Sequence, residues 1–517
     1  MGLFTLKKNN GIDFDPDFFR DQYAVGNQEH DIPMAETRFL GKYIPDKKLS
    51  VFLGCMLVFM SVLFAKAIYI QIVKGNYYHS MADTNRLRTT PITSPRGLIY
   101  DRQHQPLVRN VPIFDARVIP SELPFKDDER TAEIGHIADI LHIAPQTIAD
   151  ALAPYKKNYK YPVTVVEHIT YEQALDLKIK SADDVALIID TRNQRQYLER
   201  SFSHVIGYEG RITADELQVH PEEDYLYNDR IGKNGLELSY EPVLRGQYGF
   251  VQTEINVKGQ AEKVVAQKEP QSGGSLVLAI DSAVQKKADE ILRAHLQKIG
   301  KKRGVVVMLD PRTGEVIALV STPDYDDNLF ASGISTADYQ ALIDNPDKPL
   351  FDRTTKGEYP SGSTVKILES AGALQDGIIT DRTTVNSVGG IRIQDKWFFP
   401  DWKAGGHGLT NVYKAIAWSV NTFFYEVGGG YKDFKGLGED GLKKWFELGG
   451  LGSPTGIDLP GESAGLVPDE AWKIKSTGEQ WYIGDTYHMA IGQGGVLVTP
   501  IQVAQYTSLF ADGGILY

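Results

Sequence analysis

Cysteine is nearly missing from this chain: Cys55 is the only one in 517 residues. It falls inside an apolar stretch, so everything C-terminal to that stretch lacks a thiol. That fits an exported domain that needs no disulfide, although a cytosolic domain can lack cysteine too. There is no basic tract with interleaved aromatics, and the net charge of -12 argues against a general nucleic-acid binder. No solenoid-type repeat and no low-complexity tract is visible. What remains is 42% hydrophobic and 24% charged, the balance of a folded protein, with length for about three domains.

One segment departs from the soluble pattern. From Leu49 to Ala65 the sequence LSVFLGCMLVFMSVLFA carries no charge, and after Lys66 the apolar run resumes to Val73. At 1.5 Å per residue, Leu49 to Val73 makes a helix about 37 Å long, enough to span a bilayer with Lys66 reaching toward one face. Ala65-Lys66-Ala67 has the look of a cleavage site, but apolar residues continue past it and the 48-residue leader is too long for a signal n-region. We therefore read an uncleaved membrane anchor. Arg38, Lys42, Lys47 and Lys48 before it, against Lys74, Arg86 and Arg88 after it, bias the N-terminus to the inside.

Residues 1–48 mix acidic and aromatic residues without a period and read as an irregular cytoplasmic tail. Residues 74–270 read as mixed α/β: helical spacing from Asp128 to Ala153, a β-branched strand from Tyr161 to Ile169, then a helix from Tyr171. A further domain, 271–517, opens with a strand, Ser275 to Asp281. A helix capped by Asp281-Ser282 follows, then an antiparallel hairpin from Gly304 to Ser321 around the turn PRTG. This is an α+β layout with helices against an antiparallel sheet.

Within that domain lies YPSGSTVKILES, residues 359–370. Pro360 and Gly362 break any preceding element, which puts Ser363 at or near a helix N-terminus. Lys366, three residues on, shares its face, so its ammonium can fold back over the Ser363 hydroxyl. Burial there would lower the lysine pKa, as a base for serine requires. The alternative is that Ser363 is only the polar start of a helix, since a Ser-x-x-Lys match arises by chance roughly two or three times in a chain this long.

Several stretches in order resemble one family. The hairpin, PDYDDN (Pro323 to Asn328), YPSGSTVK and WSVNTFFY (Trp418 to Tyr425) resemble the class B penicillin-binding proteins, which are serine peptidoglycan transpeptidases. SPRGLIYDR (Ser94 to Arg102) is similar to the family's signature beyond the anchor. GKNGLELSYEPVLRGQYG (Gly232 to Gly249) is similar to its juncture of pedestal and catalytic domain. DWKAGGHG (Asp401 to Gly408), IDLPGESAGLVP (Ile457 to Pro468) and IGQGGVLVTPIQVA (Ile491 to Ala504) are most similar to the elongation type, the penicillin-binding protein 2 subfamily.

The resemblance implies a dimerisation-type pedestal over 74–270 and, over 271–517, a penicillin-binding transpeptidase domain of the serine β-lactamase-like fold. It implies Ser363 as nucleophile toward the penultimate D-alanine of a stem peptide and Lys366 as its base. Ser419 would be a proton relay, and Asn421 would hold the substrate amide or Lys366. By themselves Ser419 and Asn421 are equally readable as polar caps. Implied partners are peptidoglycan stem peptides, β-lactams as inhibitors, a SEDS-family glycosyltransferase, elongation-complex proteins and the membrane. The implied location is the bacterial inner membrane, spanned once, with the catalytic domain periplasmic and no cofactor.

The family's third motif, Lys-Thr-Gly or Lys-Ser-Gly, is nowhere in the sequence. KSTG at Lys475 to Gly478 has an extra residue and precedes IGQG, where the family's motif follows it. In the family that strand holds the substrate carboxylate and supplies an oxyanion-hole N–H, a donor type whose loss costs about 100- to 1,000-fold in rate. Because the sequence stops at ADGGILY as a strand begins, the expectation is a transpeptidase domain lacking its C-terminal part. The alternative function is a non-catalytic membrane scaffold or activator of the glycosyltransferase. A β-lactam sensor is disfavoured, since the tail is too short for a signalling domain. Asp401 and His407 are secondary metal candidates, as in relatives with a similar loop, but the thiol those relatives add is Val420 here, and a loop-bracing hydrogen-bond role for His407 is preferred.

Overall fold

The computed structural model describes residues 46–74, 87–159, 162–180, 186–219, 225, 229–255, 261–394 and 396–517. Met1–Arg86 and Leu87–Tyr517 form two units, each described by itself. The expected tail falls almost wholly outside the described residues.

In the first unit the apolar run is helical, as Asp46–Ile68 continued by a π-helical turn, Tyr69–Val73. Leu49–Val73, 25 residues with none of its surface buried, is long and apolar enough to cross a membrane.

The second unit begins with two sheets. Leu87–Ile92 and Ala261–Lys268 flank Gly249–Ile255 in an antiparallel three-stranded sheet. In the other sheet the long strand Pro106–Val118 pairs along one edge with Leu187–Tyr197. Its other edge meets Ile99–Tyr100 at one end and Val163–Ile169 at the other. Ile137, Ile148, Leu152, Val163 and Leu177 fill the core beside it.

The helical spacing over 128–153 resolves into two helices, Asp127–Leu141 and Pro145–Leu152. His142 turns left-handed (φ 55°) and Pro145 starts the second helix. A proline at the first helical position loses no hydrogen bond, whereas within one continuous helix it would clash with the preceding turn. The strand expected over Ser275–Asp281 also shortens, to Leu276–Val277, which pairs in parallel with Ile99–Tyr100. Its continuation bonds irregularly instead: the Ile280 carbonyl accepts from Arg102 and Asp281 N–H donates to Ile317.

A buried ion network joins the two signature segments SPRG and GLELSYEP. Arg96 Nε lies 2.7 Å from Glu237 and its Nη2 2.6 Å from Glu241, while Arg195 Nε lies 2.8 Å from the other Glu237 oxygen. Glu237 is fully buried. Burial would raise its pKa, but the two guanidiniums outweigh that and hold the carboxyl below its ordinary range.

The capped helix Ser282–Lys298 and the hairpin Gly304–Leu309/Val316–Thr322 form as expected, with Asp281 accepting from the N–H groups of Ala283 and Val284. Buried Gln285 ties helix to hairpin, accepting from Leu319 N–H and donating to the Leu319 carbonyl, both at 2.7 Å. Beyond it, the helix Lys366–Gln375 packs against Val412–Trp418, Asn421–Gly429 and Gly438–Leu448, and the last two also contact Ile483–Ala490. Val365, Leu368, Phe446 and Met489 fill one side, and Phe423 and Phe424 belong to the adjoining core.

Replacing Glu237 with alanine leaves the buried Arg195 guanidinium without its carboxylate and Arg96 with Glu241 and the more distant Glu209. The expected loss is about 3–5 kcal/mol of unfolding free energy, read by denaturant titration. A loss within 1 kcal/mol, roughly what an exposed pair is worth, would show the network to be dispensable.

Candidate active site

Pro360 pairs in a two-residue strand with Leu497, and Gly362, at φ 54°, turns the chain into the 3₁₀ turn Gly362–Val365 that carries Ser363. Gly492 clamps this turn from the IGQG segment, its carbonyl accepting from Gly362 N–H at 2.9 Å. At φ 69° and with a Cβ position 2.1 Å from the Gly362 carbonyl oxygen, only glycine fits there. Thr364 is held from the other side by the Tyr506 hydroxyl at 2.7 Å. The α-helix proper begins at Lys366.

Ser419 and Asn421 arrive from the joint between two helices. Asn411 caps the first, Val412–Trp418, by accepting from Lys414 N–H. It ends at Ser419, a non-glycine residue in the left-handed region (φ 51°, ψ 47°). Such a conformation costs on the order of 1 kcal/mol or more and persists only where its surroundings enforce it. Fully buried Val420 anchors the joint, and Asn421 opens the second helix.

These elements bring the four expected residues together. Ser419 Oγ is 2.8 Å from Ser363 Oγ. Lys366 Nζ donates to Asn421 Oδ1 at 2.6 Å, to Ser419 Oγ at 3.1 Å and to the Ser419 carbonyl at 3.2 Å. The lysine therefore does not fold straight back over Ser363: its hydrogen bonds go to the Ser419–Asn421 joint, and the link to Ser363 runs through the Ser419 hydroxyl. Lys366 is 2% exposed. Burial lowers its pKa to about 8, against an opposing pull from the Glu369 and Asp401 carboxyls.

Asp401 is an organising acceptor. Its Oδ2 takes hydrogen bonds from Thr422 N–H (2.9 Å) and the Thr422 hydroxyl (2.6 Å), and its Oδ1 takes Trp402 N–H. Burial pushes Asp401 up, but the Thr422 bonds outweigh it and the carboxylate stays below its ordinary range. His407 Nε2 lies 3.5 Å from Asp401 Oδ1, yet among the described residues neither ring nitrogen has a hydrogen-bond partner. The ring is braced by tilted contacts with Trp402 (5.1 Å) and Trp418 (5.8 Å). Among the described residues no group of three or more His, Cys, Asp and Glu is placed to hold a metal.

With this geometry in hand the comparisons are informative. Residues 91–278 match the model for the penicillin-binding protein dimerisation domain, and residues 304–517 match the penicillin-binding protein transpeptidase domain. The peptidoglycan D,D-transpeptidase MrdA of Escherichia coli K12 is 34% identical over 481 residues, 91% of this chain and 72% of that protein. The chain belongs to the penicillin-binding protein family of peptidoglycan D,D-transpeptidases.

The MrdA of Acinetobacter baumannii is also 34% identical, over 89% of this chain and 66% of its own length. Among solved structures, the penicillin-binding protein 2 of Helicobacter pylori in complex with MreC aligns with TM-score 0.72 at 31% identity, covering 83% of this chain and 77% of that one. A peptidoglycan synthase complex that coordinates polymerization and crosslinking aligns with TM-score 0.63 at 28% identity, covering 90% and 77%. The family accounts for the two-part α+β architecture and for the transpeptidase domain that carries Ser363.

The sequence reading missed Glu369, one helical turn beyond Lys366. It is fully buried, and among the described residues neither carboxyl oxygen has a hydrogen-bond partner. Gly428 leaves it room, since a Cβ there would stand 3.0 Å from Glu369 Oε1. Its spacing from Lys366 was visible, but its burial depends on a helix about 60 residues away in sequence. Burial holds its pKa well above the ordinary carboxyl range, with Lys366 pulling it down. The folded state thus keeps a proton that the unfolded chain releases above its ordinary carboxyl pKa, so this group's contribution to stability falls as pH rises through that window. Glu369→Gln removes the dependence. The stability of the variant relative to wild type is expected to rise with pH above about 5, by at most about 1.4 kcal/mol per unit. A difference independent of pH from 5 to 9 contradicts a buried protonated carboxyl.

Proposed function

We propose that Ser363 is the nucleophile, Lys366 its general base, Ser419 the proton relay between them, and Asn421 the acceptor that fixes Lys366. The hydrogen-bonded path from Lys366 through Ser419 to Ser363 is the observation that carries this reading. Lys366 must be neutral to act, and burial brings its pKa to about 8, near working pH.

In the first half-reaction Ser363 Oγ bonds to the carbonyl carbon of the penultimate D-alanine of a stem peptide. Its proton passes through Ser419 to Lys366. The bond to the terminal D-alanine nitrogen then breaks, and that amine leaves with the proton returned along the same path. In the second, an amine of a neighbouring strand attacks the acyl-enzyme, Ser363 recovers its proton, and a cross-link results. A β-lactam would enter at the first step and remain as the acyl adduct.

The apolar helix serves as a single membrane anchor with the N-terminus on the cytoplasmic side, supported by its length and the charges flanking it. We place the pedestal at 74–270 and the transpeptidase domain at 271–517, while the matched models run over 91–278 and 304–517. A SEDS-family glycosyltransferase is the proposed partner, supported by the likeness to the synthase complex that coordinates polymerization and crosslinking.

A fluorescent penicillin is expected to label the full chain covalently, with Ser363→Ala removing the label and Ser419→Ala slowing labelling at least about 100-fold, the scale of a lost acid–base contribution. Labelling that persists in Ser363→Ala reassigns the nucleophile. A wild-type chain that takes no label favours the scaffold function.

A further inference from the structure

Ser363 opens into a cleft of about 860 Å³, and the side chains that dominate its wall belong to none of the proposed proton-transfer steps. Trp402 is 64% exposed and Trp418 51% exposed, and both line the cleft with Lys403. Large apolar rings left bare beside a nucleophile are binding surface rather than misplaced core.

These rings are also fixed in place. Trp402 Nε1 donates to the Trp418 carbonyl at 3.1 Å, which satisfies the one polar atom of that indole and leaves an apolar face. The buried His407 ring contacts both indoles, tilted 60° to Trp402 and 52° to Trp418. The loop is anchored through Asp401 to Thr422, one residue past Asn421. Lys414 Nζ sits 4.9 Å from the Trp418 ring centroid, held by the carbonyls of His407 and Leu409. Lys403 Nζ lies 6.0 Å from the same ring on an exposed side chain, free to meet a ligand.

The charge of this wall is one-sided. Among the described residues no carboxylate lines the cleft, and Asp401 is buried, with its oxygens engaged by Thr422, Trp402 and Ser387. A ligand that lies along the indoles and reaches Ser363 therefore meets apolar rings and positive charge together.

We propose that Trp402, Trp418 and Lys403 form a specificity surface for the acyl donor, selecting an acidic peptide whose apolar part lies on the two indoles and whose carboxylate meets Lys403. This rests on Ser363 being the nucleophile. His407, a buried ring at the cleft wall that meets both indoles at a tilt, is a positioning residue for the surface.

The test uses two D-alanyl thioester donors that differ only in an N-terminal extension, glutamyl in one and glutaminyl in the other, on the full-length chain. Wild type is expected to favour the acidic donor in kcat/KM by about threefold, the scale of an exposed ion pair, and Lys403→Glu to reverse that preference. Trp402→Ala is expected to raise KM for both donors roughly tenfold, with a smaller change in kcat, and Trp402→Phe to restore most of the loss. Equal use of the two donors by wild type and Lys403→Glu, or an unchanged KM in Trp402→Ala, overturns the proposal. Should wild type form no acyl-enzyme at all, the catalytic reading falls on its own. Titration of the two free peptides against Ser363→Ala, read by tryptophan quenching, then decides the surface: tighter binding of the acidic peptide, lost in Lys403→Glu, upholds it, and equal binding overturns it.

Discussion

An amine taken out of water loses its preference for the charged form, and Lys366 is such an amine, 2% exposed with three oxygen acceptors in reach. None of the three is a carboxylate. A direct ion pair would hold the proton on the lysine. The Ser419 and Asn421 oxygens instead orient the nitrogen while leaving its charge uncompensated. The carboxyls that do act on it, Glu369 and Asp401, are each restrained. Glu369 is held toward its neutral form by burial without a partner, and Asp401 has its oxygens committed to Thr422 and Trp402. The proposed chemistry at Ser363 depends on this withheld counter-charge.

Much of the surrounding structure serves to keep those acceptors still. Ser419 occupies a left-handed backbone conformation that a free chain would avoid, and the neighbours that enforce it are Val420 packed in the core, the Asn411 cap and the Asp401–Thr422 bonds. Ser363 is fixed separately, by Gly492 against Gly362 and by Tyr506 against Thr364. Two independently braced segments thus meet at one hydroxyl–hydroxyl contact, as preorganised proton transfer requires.

The sequence was most legible where local chemistry decides structure. The apolar run at Leu49–Val73, the Asp281 cap, the Gly304–Thr322 hairpin and the break at Gly362 each declare themselves within a few residues. It was less legible where distant partners decide. The 128–153 spacing carried through His142 because a helical period does not reveal a left-handed residue, although Pro145 signalled the second start. Ser275–Asp281 read as a full strand because its composition is right, but only two residues find a partner in Ile99–Tyr100. Within the proposed site, spacing made Ser363 and Lys366 candidates beside a bland alternative, and the family resemblance singled them out together with Ser419 and Asn421. The route of the Lys366 hydrogen bonds, the bare Glu369 carboxyl and the contacts of His407 with two indoles are products of tertiary packing that no local pattern encodes.

The pH dependence of penicillin acylation at Ser363, measured as a rate on the full chain from pH 5.5 to 10, tests the role of Lys366 most directly. With a base that must be neutral and a pKa of about 8, the rate should climb close to tenfold per unit below pH 8 and level off above it. A rate that is flat across that range, or that levels off only near the ordinary lysine pKa of about 10.4, would contradict a base made neutral by burial.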